Sequence, residues 1–315
     1  MLTLSQFPRR FQTPTGMEWC RVTNADGAAL RIGRMKPHAA PVASIMIGPG
    51  LSEPGDKYFE TGKILHRFGF DVGFMNWRNQ GGSEPYITGD NTRRHSEGFE
   101  KDARDLVQAT RHLFPSSSRI FYLGHSMGAM IGLLAALKKP SLFQAFAGSA
   151  PLLGFMDPIA RGNEAIMAWV PLTKYMARHH IPRGGPWKRR TESEPLMQPE
   201  VFSSDPLRMH LHDAWLQANP DLRVGRPTLG FIREASRTIM TLRREARSII
   251  TPSLILTAGN DQIVDSKQAF NLVARMPNAK IHDFPDAQHE VLMERDSIRR
   301  PAIKRILDFY TSRLP

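Results

Sequence analysis

The stretch FYLGHSMGAM, Phe121 to Met130, sets Ser126 midway between Gly124 and Gly128, directly after a short apolar run. A G-x-S-x-G pattern arises often by chance, so its context must decide its meaning. Here it follows RIFYL, which reads as a buried strand, and opens MGAMIGLLAALKK, which reads as a helix. A serine on so sharp a strand-to-helix turn is strained, and the turn is tolerated only where neighbouring residues lack side chains that would strike the strand or the helix. Gly124, His125 and Gly128 are therefore read as a nucleophile elbow, with Ser126 as the candidate nucleophile.

Working outward from the elbow, three more short runs look like buried parallel strands: VASIMIG (Val42 to Gly48), DVGFMNW (Asp71 to Trp77) and SLILTAG (Ser253 to Gly259). YFETGKILHRF and GFEKDARDLVQATRHLF separate the first strands, with apolar residues at three- and four-residue spacing. Alternation of strand and helix predicts an α/β protein with a mostly parallel, doubly wound sheet. AKIHDFPDAQH reads as a last strand with its loop, and SIRRPAIKRILDFYTSRL as a C-terminal helix. Between these blocks, residues 152–250 are rich in Pro, Trp, Met, Arg and His, and only helical pieces stand out. They are expected to form a helical cap inserted into a core of residues 1–151 and 251–315, over the sheet end where ligands bind.

A serine hydroxyl needs a base, and the base needs an acid to orient it. NDQIVD follows SLILTAG and places Asp261 just beyond that strand's carboxyl end, and His289 lies in the loop after the last strand, so these two are the expected acid and base. Asp265 is the competing acid; it could equally cap the helix that begins SKQAFNLV. An oxyanion hole would draw on the Met127 amide, after the nucleophile, and on one amide from GPGLSEPGDKY, the loop after the first core strand. Pro49 has no N–H, which leaves Leu51 as the second donor.

Composition sets the outer bounds. The 315 residues are 41% hydrophobic and 23% charged, which excludes a disordered chain and a many-span membrane protein. Cys20 is the single cysteine, so neither an internal disulfide nor a cysteine zinc site can form. The opening residues lack the pattern of a secretory signal, and a cytoplasmic protein is expected. The net charge of +12 is spread over the chain without a concentrated run, which argues against nucleic acid as partner. Residues 1–50 carry 6 basic against 2 acidic groups and residues 151–250 carry 15 against 10, so peripheral contact with an anionic membrane face is expected, with WKRR (Trp187 to Arg190) as its candidate. The histidine pairs His179/His180 and His210/His212 lack a third ligand at metal spacing, and no metal or cofactor is expected. Trp169, Trp215 and the methionines of the insertion suit either core packing or a lipid-binding cap.

Taken together, GPGLSEPGDKY, NWRNQGGS, GHSMGAM, RVGRPT, GNDQIVDSKQAF and QHEVLMERD resemble the α/β-hydrolases of the monoacylglycerol lipase and bacterial lysophospholipase group. The resemblance runs from about Phe11 to Phe309 and includes DLRVGRPTLGFIREA inside the insertion. It implies the α/β-hydrolase fold, Ser126, Asp261 and His289 as catalytic residues, Leu51 and Met127 as oxyanion donors, and hydrolysis of the acyl ester of lysophospholipids or monoacylglycerols. Three positions depart from the family pattern: Pro49 stands where a His is usual, Asn76 for an Asp and Asn79 for a glycine. A carboxylesterase or lactonase on the same scaffold, or a non-catalytic lipid-binding protein, are the alternatives to be weighed.

Overall fold

In the computed structural model, which describes residues 3–36, 38–90, 92–157, 160–182, 184–189 and 198–315, the chain opens with an antiparallel pair, β1 (Glu18–Thr23) and β2 (Ala29–Arg34). Charged residues recur along both, and β1 is the partly exposed edge of the sheet, so no apolar run marks them in the sequence. Strand and helix then alternate through β3 (Ser44–Gly48), α1 (Phe59–Arg67), β4 (Asp71–Met75), α2 (Phe99–Leu113), β5 (Ile120–His125), α3 (Met127–Lys138) and β6 (Ala145–Ser149). Among the described residues, five α-helices separate β6 from the next strand: α4 (Glu164–Trp169), α5 (Lys174–Ala177), α6 (Pro199–Phe202), α7 (Leu211–Ala218) and α8 (Leu229–Arg244). The chain closes with β7 (Ser253–Ala258), α9 (Ser266–Val273), β8 (Ala279–Phe284) and α10 (Asp296–Thr311).

The eight strands form one sheet in the order β1-β2-β4-β3-β5-β6-β7-β8, parallel from β4 to β8. Successive residues of β5 point to opposite faces: Ile120 and Tyr122 join one core, with residues of α2, α3, α8 and α9, while Phe121 and Leu123 join the other, with α1, α7 and α10. Burial on both faces is why β3, β5 and β7 read as continuous apolar runs. The order reverses at β3, whose chain crosses first to β4 and then back past itself to β5. The loops that follow β3 and β5 therefore meet at the carboxyl end of the sheet, where such a reversal leaves a crevice.

The segment between β6 and β7 attaches to both parts of this framework. α8 packs on α4 and α3, whereas α7 sinks into the second core, where Trp215 meets the Phe59 ring edge-on at 5.5 Å. Just before α7, Arg208 is buried and grips Glu60 of α1 with two 2.8 Å hydrogen bonds, then reaches Asp205 at 2.8 Å and Asp296 at 2.7 Å. A forked guanidinium on a buried carboxylate is a strong pair whose loss leaves the acid uncompensated. Replacing Arg208 with Ala is expected to cost about 3 kcal/mol, the lower end for a broken buried pair, because Arg10 and Arg299 also approach Glu60. Urea unfolding checks this through a lower midpoint at unchanged slope.

Candidate active site

Ser126 sits at φ 50 and ψ −117, between the last residue of β5 and the first of α3. Its backbone is pinned from two sides: its N–H donates to Ser149 O at 2.9 Å, and its carbonyl accepts from Met130 at 3.1 Å and Leu152 at 3.1 Å. The flanking glycines have separate reasons. A Cβ at Gly124 would come within 2.7 Å of the Ala129 backbone, and one at Gly128 within 2.4 Å of the carbonyl oxygens of Gly48 and Pro49. The start of α3 is thus pressed directly on the loop after β3.

The structure brings Ser126, His289 and Asp261 into one line. Ser126 Oγ donates to His289 Nε2 at 3.0 Å, and His289 Nδ1 donates to Asp261 Oδ2 at 2.7 Å. The other oxygen of Asp261 accepts from the amides of Ile263 at 2.8 Å and Val264 at 2.9 Å, which fixes the carboxylate in the loop after β7. Asp265 does not join this line: its side chain caps α9 by accepting from the Lys267 amide, and Arg161 lies 3.6 Å away. Burial alone would make His289 harder to protonate, but the charge and hydrogen bond of Asp261, with Glu290 and Glu53 beyond, raise its pKa above the usual histidine value.

His125 is buried beside this line, its ring centred 4.8 Å from that of His289. Its Nδ1 donates to the Ser149 carbonyl at 3.2 Å, and burial pushes its pKa down to about 4, so it stays neutral. Among the described residues, neither the Leu51 N–H nor the Met127 N–H has a hydrogen-bond partner. Around Leu51 the loop is fully tied. Pro49 O accepts from Trp77 Nε1 at 2.8 Å, and the Gly50 N–H donates to Glu53 Oε2 at 2.6 Å. Asn76 Oδ1 accepts from the Gly55 amide at 2.8 Å, and Asn79 takes φ 67, a left-handed conformation that asparagine tolerates.

Sequence reasoning missed a buried cation here. Lys57 Nζ lies between Glu53 Oε1 at 2.5 Å and Glu290 Oε1 at 2.7 Å, so one ammonium joins the loop after β3 to the loop that carries His289. Its signal was an acid and a base four residues apart in an otherwise Gly- and Pro-rich stretch. A cavity of about 310 Å³ opens over Ser126 and His289. Its apolar walls include Leu152, Phe155, Ile181, Phe202, Phe231 and Ile232, and Lys188, Arg189 and Arg226 also line it.

A sheet of this order, with a serine, histidine and aspartate aligned at the reversal point, defines a serine hydrolase of the α/β-hydrolase fold. The chain belongs to the family described as serine aminopeptidase S33, which it matches over residues 39–296. It is 26% identical to a probable lysophospholipase L2 of Haemophilus influenzae over 87% of this chain and 86% of that one. It is 25% identical to the monoglyceride lipase of Rattus norvegicus over 93% and 90% of the two chains. Among solved structures, a soluble variant of monoglyceride lipase from Saccharomyces cerevisiae, in complex with a substrate analogue, superposes with a TM-score of 0.73. It covers 98% of this chain and 99% of its own at 18% identity, which speaks for the fold.

Two outcomes follow from the geometry. Asp261→Asn is expected to lower kcat by roughly 10⁴, because an amide favours the wrong histidine tautomer, whereas Asp265→Asn costs about 1 kcal/mol of stability through the weakened cap. Steady-state rates and thermal unfolding of both variants check the ranking. A histidine with a raised pKa stays protonated to higher pH and cannot then accept the serine proton. The acidic limb of kcat/KM should therefore have its midpoint above the ~6.5 of an unperturbed histidine, which a pH–rate profile reads directly.

Proposed function

We propose that the protein hydrolyses the acyl ester of lysophospholipids or monoacylglycerols, with Ser126 as nucleophile, His289 as general base and Asp261 as the orienting acid. One observation carries this reading: the aligned serine lies at the floor of an apolar cavity with cations in its wall. Ser126 Oγ forms a bond to the ester carbonyl carbon while its proton passes to His289 Nε2, and the carbonyl π pair moves onto the oxygen. The amides of Leu51 and Met127 receive that oxyanion. Its collapse breaks the bond to the glycerol oxygen, which takes the proton from His289. Water, deprotonated by the same histidine, then repeats the attack and frees the fatty acid and Ser126.

Residues 152–250 act in this proposal as a cap on the core of residues 1–151 and 251–315, holding the acyl chain against Phe155, Ile181 and Phe231. Lys188, Arg189 and Arg226 in the wall favour a phosphate-bearing glycerol over an uncharged one. The family's description names an aminopeptidase, which would have to hold a substrate ammonium. Glu53, Glu290, Asp157 and Asp213 line the cavity, but Lys57 engages both glutamates and the two aspartates have partners of their own, which favours a lipid ester.

No helix among the described residues is long and apolar enough to cross a membrane. Peripheral contact at the cytoplasmic face is proposed through α4 and α5, where Ile166, Trp169 and Tyr175 are 68%, 74% and 74% exposed, with Lys174 beside them. WKRR, where contact was also expected, is partly engaged elsewhere: Arg189 lines the cavity and Arg223 stacks on the Trp187 ring at 4.6 Å, while Lys188 is exposed and Arg190 lies outside the described residues.

Hydrolysis of lysophosphatidylethanolamine, lysophosphatidylglycerol, monoacylglycerol and a short nitrophenyl ester by the wild type and Ser126→Ala tests the reading. The wild type is expected to prefer the lysophospholipids, and Ser126→Ala to lose on the order of 10⁶ in kcat on every substrate. Turnover that survives Ser126→Ala, or a preference for aminoacyl amides, overturns it.

A further inference from the structure

An oxyanion hole at the Leu51 amide requires contacts that hold that amide in place. Ser52, the next residue, is in the left-handed region at φ 62, which is strained for a non-glycine residue and persists only if surrounding contacts enforce it. Those contacts come from Gln80, in the loop after β4. Its Nε2 donates to Gly50 O at 2.8 Å and to Glu53 O at 2.9 Å, and its Oε1 accepts from the Ser52 N–H at 3.0 Å. One buried side-chain amide thus grips the loop on both sides of Leu51.

The orientation of that amide is itself decided by a neighbour. Arg94 Nε, which can only donate, reaches Gln80 Oε1 at 3.1 Å, so the oxygen must face Arg94 and Ser52 and the NH₂ must face the two carbonyls. Arg94 is fully buried, and its Nη2 lies 3.4 Å from Met127 Sδ, the side chain of the other oxyanion donor. Its backbone is paired with the segment before α8: Arg94 N–H donates to Arg226 O at 3.3 Å, and Thr228 N–H to Arg94 O at 3.0 Å. Every partner of the Gln80 amide is therefore either the oxyanion loop or the arginine that ties that loop to residues 226–228.

We propose that Gln80 is a positioning residue for the oxyanion hole: held in one orientation by Arg94, it fixes the Leu51 N–H for the transition state and contributes little to ground-state binding. The inference rests on the serine-hydrolase reading above. It is separable from that reading because a displaced amide weakens only species that carry the oxyanion.

The test uses Gln80→Met, which keeps the length and loses all four hydrogen bonds, and Gln80→Asn, whose amide falls one methylene short. A fluorophosphonate that labels Ser126 counts competent sites in each, so that rates refer to folded enzyme. Gln80→Met is expected to lower kcat by roughly 10², the lower end for loss of one oxyanion donor, with KM within about threefold. A trifluoromethyl ketone analogue of the acyl chain provides the second readout. It is attacked by Ser126 Oγ, sends the proton to His289 and leaves its carbonyl oxygen as an anion in the hole, so its Ki should rise by the same factor as kcat/KM falls. The third is the preference for an ester over its thionoester, whose sulfur anion makes poor use of N–H donors; this preference should shrink in both variants. Should Gln80→Met not fold, Gln80→Asn carries the same three readouts with a smaller loss. Unchanged Ki and unchanged ester preference in a folded variant, with Ser126→Ala inactive, would remove the positioning role and leave the hydrolase reading standing. Activity in Ser126→Ala would instead remove the reading on which it rests.

Discussion

The contact between the first turn of α3 and the loop after β3 governs the arrangement of this protein's carboxyl-end crevice. No side chain fits at residue 128, because the carbonyls of Gly48 and Pro49 occupy the space. That close approach sets the first turn of α3 against the loop that carries the Leu51 amide, and Ser126, just before α3, is held at a positive φ of 50. Strain of this kind is stable only when the surroundings over-determine it. Here Ser149, Leu152 and Met130 hold the Ser126 backbone, and parallel pairing of β5 with β3 and β6 sets the height of the turn.

Charge supplies a second level of order in the same crevice. Glu53, Glu290, Asp261 and two histidines are gathered there away from water, a costly assembly unless the charges are compensated. Lys57 engages Glu53 and Glu290 together, and burial of Glu53, which would otherwise raise its pKa, is outweighed by that ammonium and by its hydrogen bonds, so it remains ionised. The same ammonium links two loops more than two hundred residues apart in the chain. Electrostatic compensation and loop geometry are therefore one feature.

Much of this could be read from the chain alone, and the parts that could not have physical reasons. Strands buried on both faces announce themselves as apolar runs, and β3, β4, β5 and β7 fall on the runs quoted. β1 and β2 were illegible because an edge pair with charged residues such as Arg21, Arg31 and Arg34 resembles a loop. β6 carries no strand signal because AFAGS is short, made mostly of small residues and continuous with APLLGFM. The alignment of Ser126, His289 and Asp261 was legible because each stands in the turn or loop that follows a strand, which chain order can supply. Gln80 and Arg94 were not, since the meaning of Gln80 lies in carbonyls and an amide of a loop some thirty residues away, and that of Arg94 in Gln80 and in the backbone of residues 226–228. Nor could the sequence distinguish Trp215, seated on Phe59, from Trp169, exposed on α4.

The pairing of residues 92–94 with 225–228 bears on how material can reach the cavity. Three backbone hydrogen bonds, from Gly225 to Thr92, Arg94 to Arg226 and Thr228 to Arg94, stitch the segment before α8 to the sheet's own loop. At about 1 kcal/mol each, parting them together holds the open form to roughly one molecule in a hundred or fewer. Along this margin the roof is a seam, and traffic through it would be slow. The cavity wall formed by Val224, Gly225, Arg226 and Pro227 is thus fastened to the core, so the long acyl tail and the small polar product meet a surface there that keeps its shape.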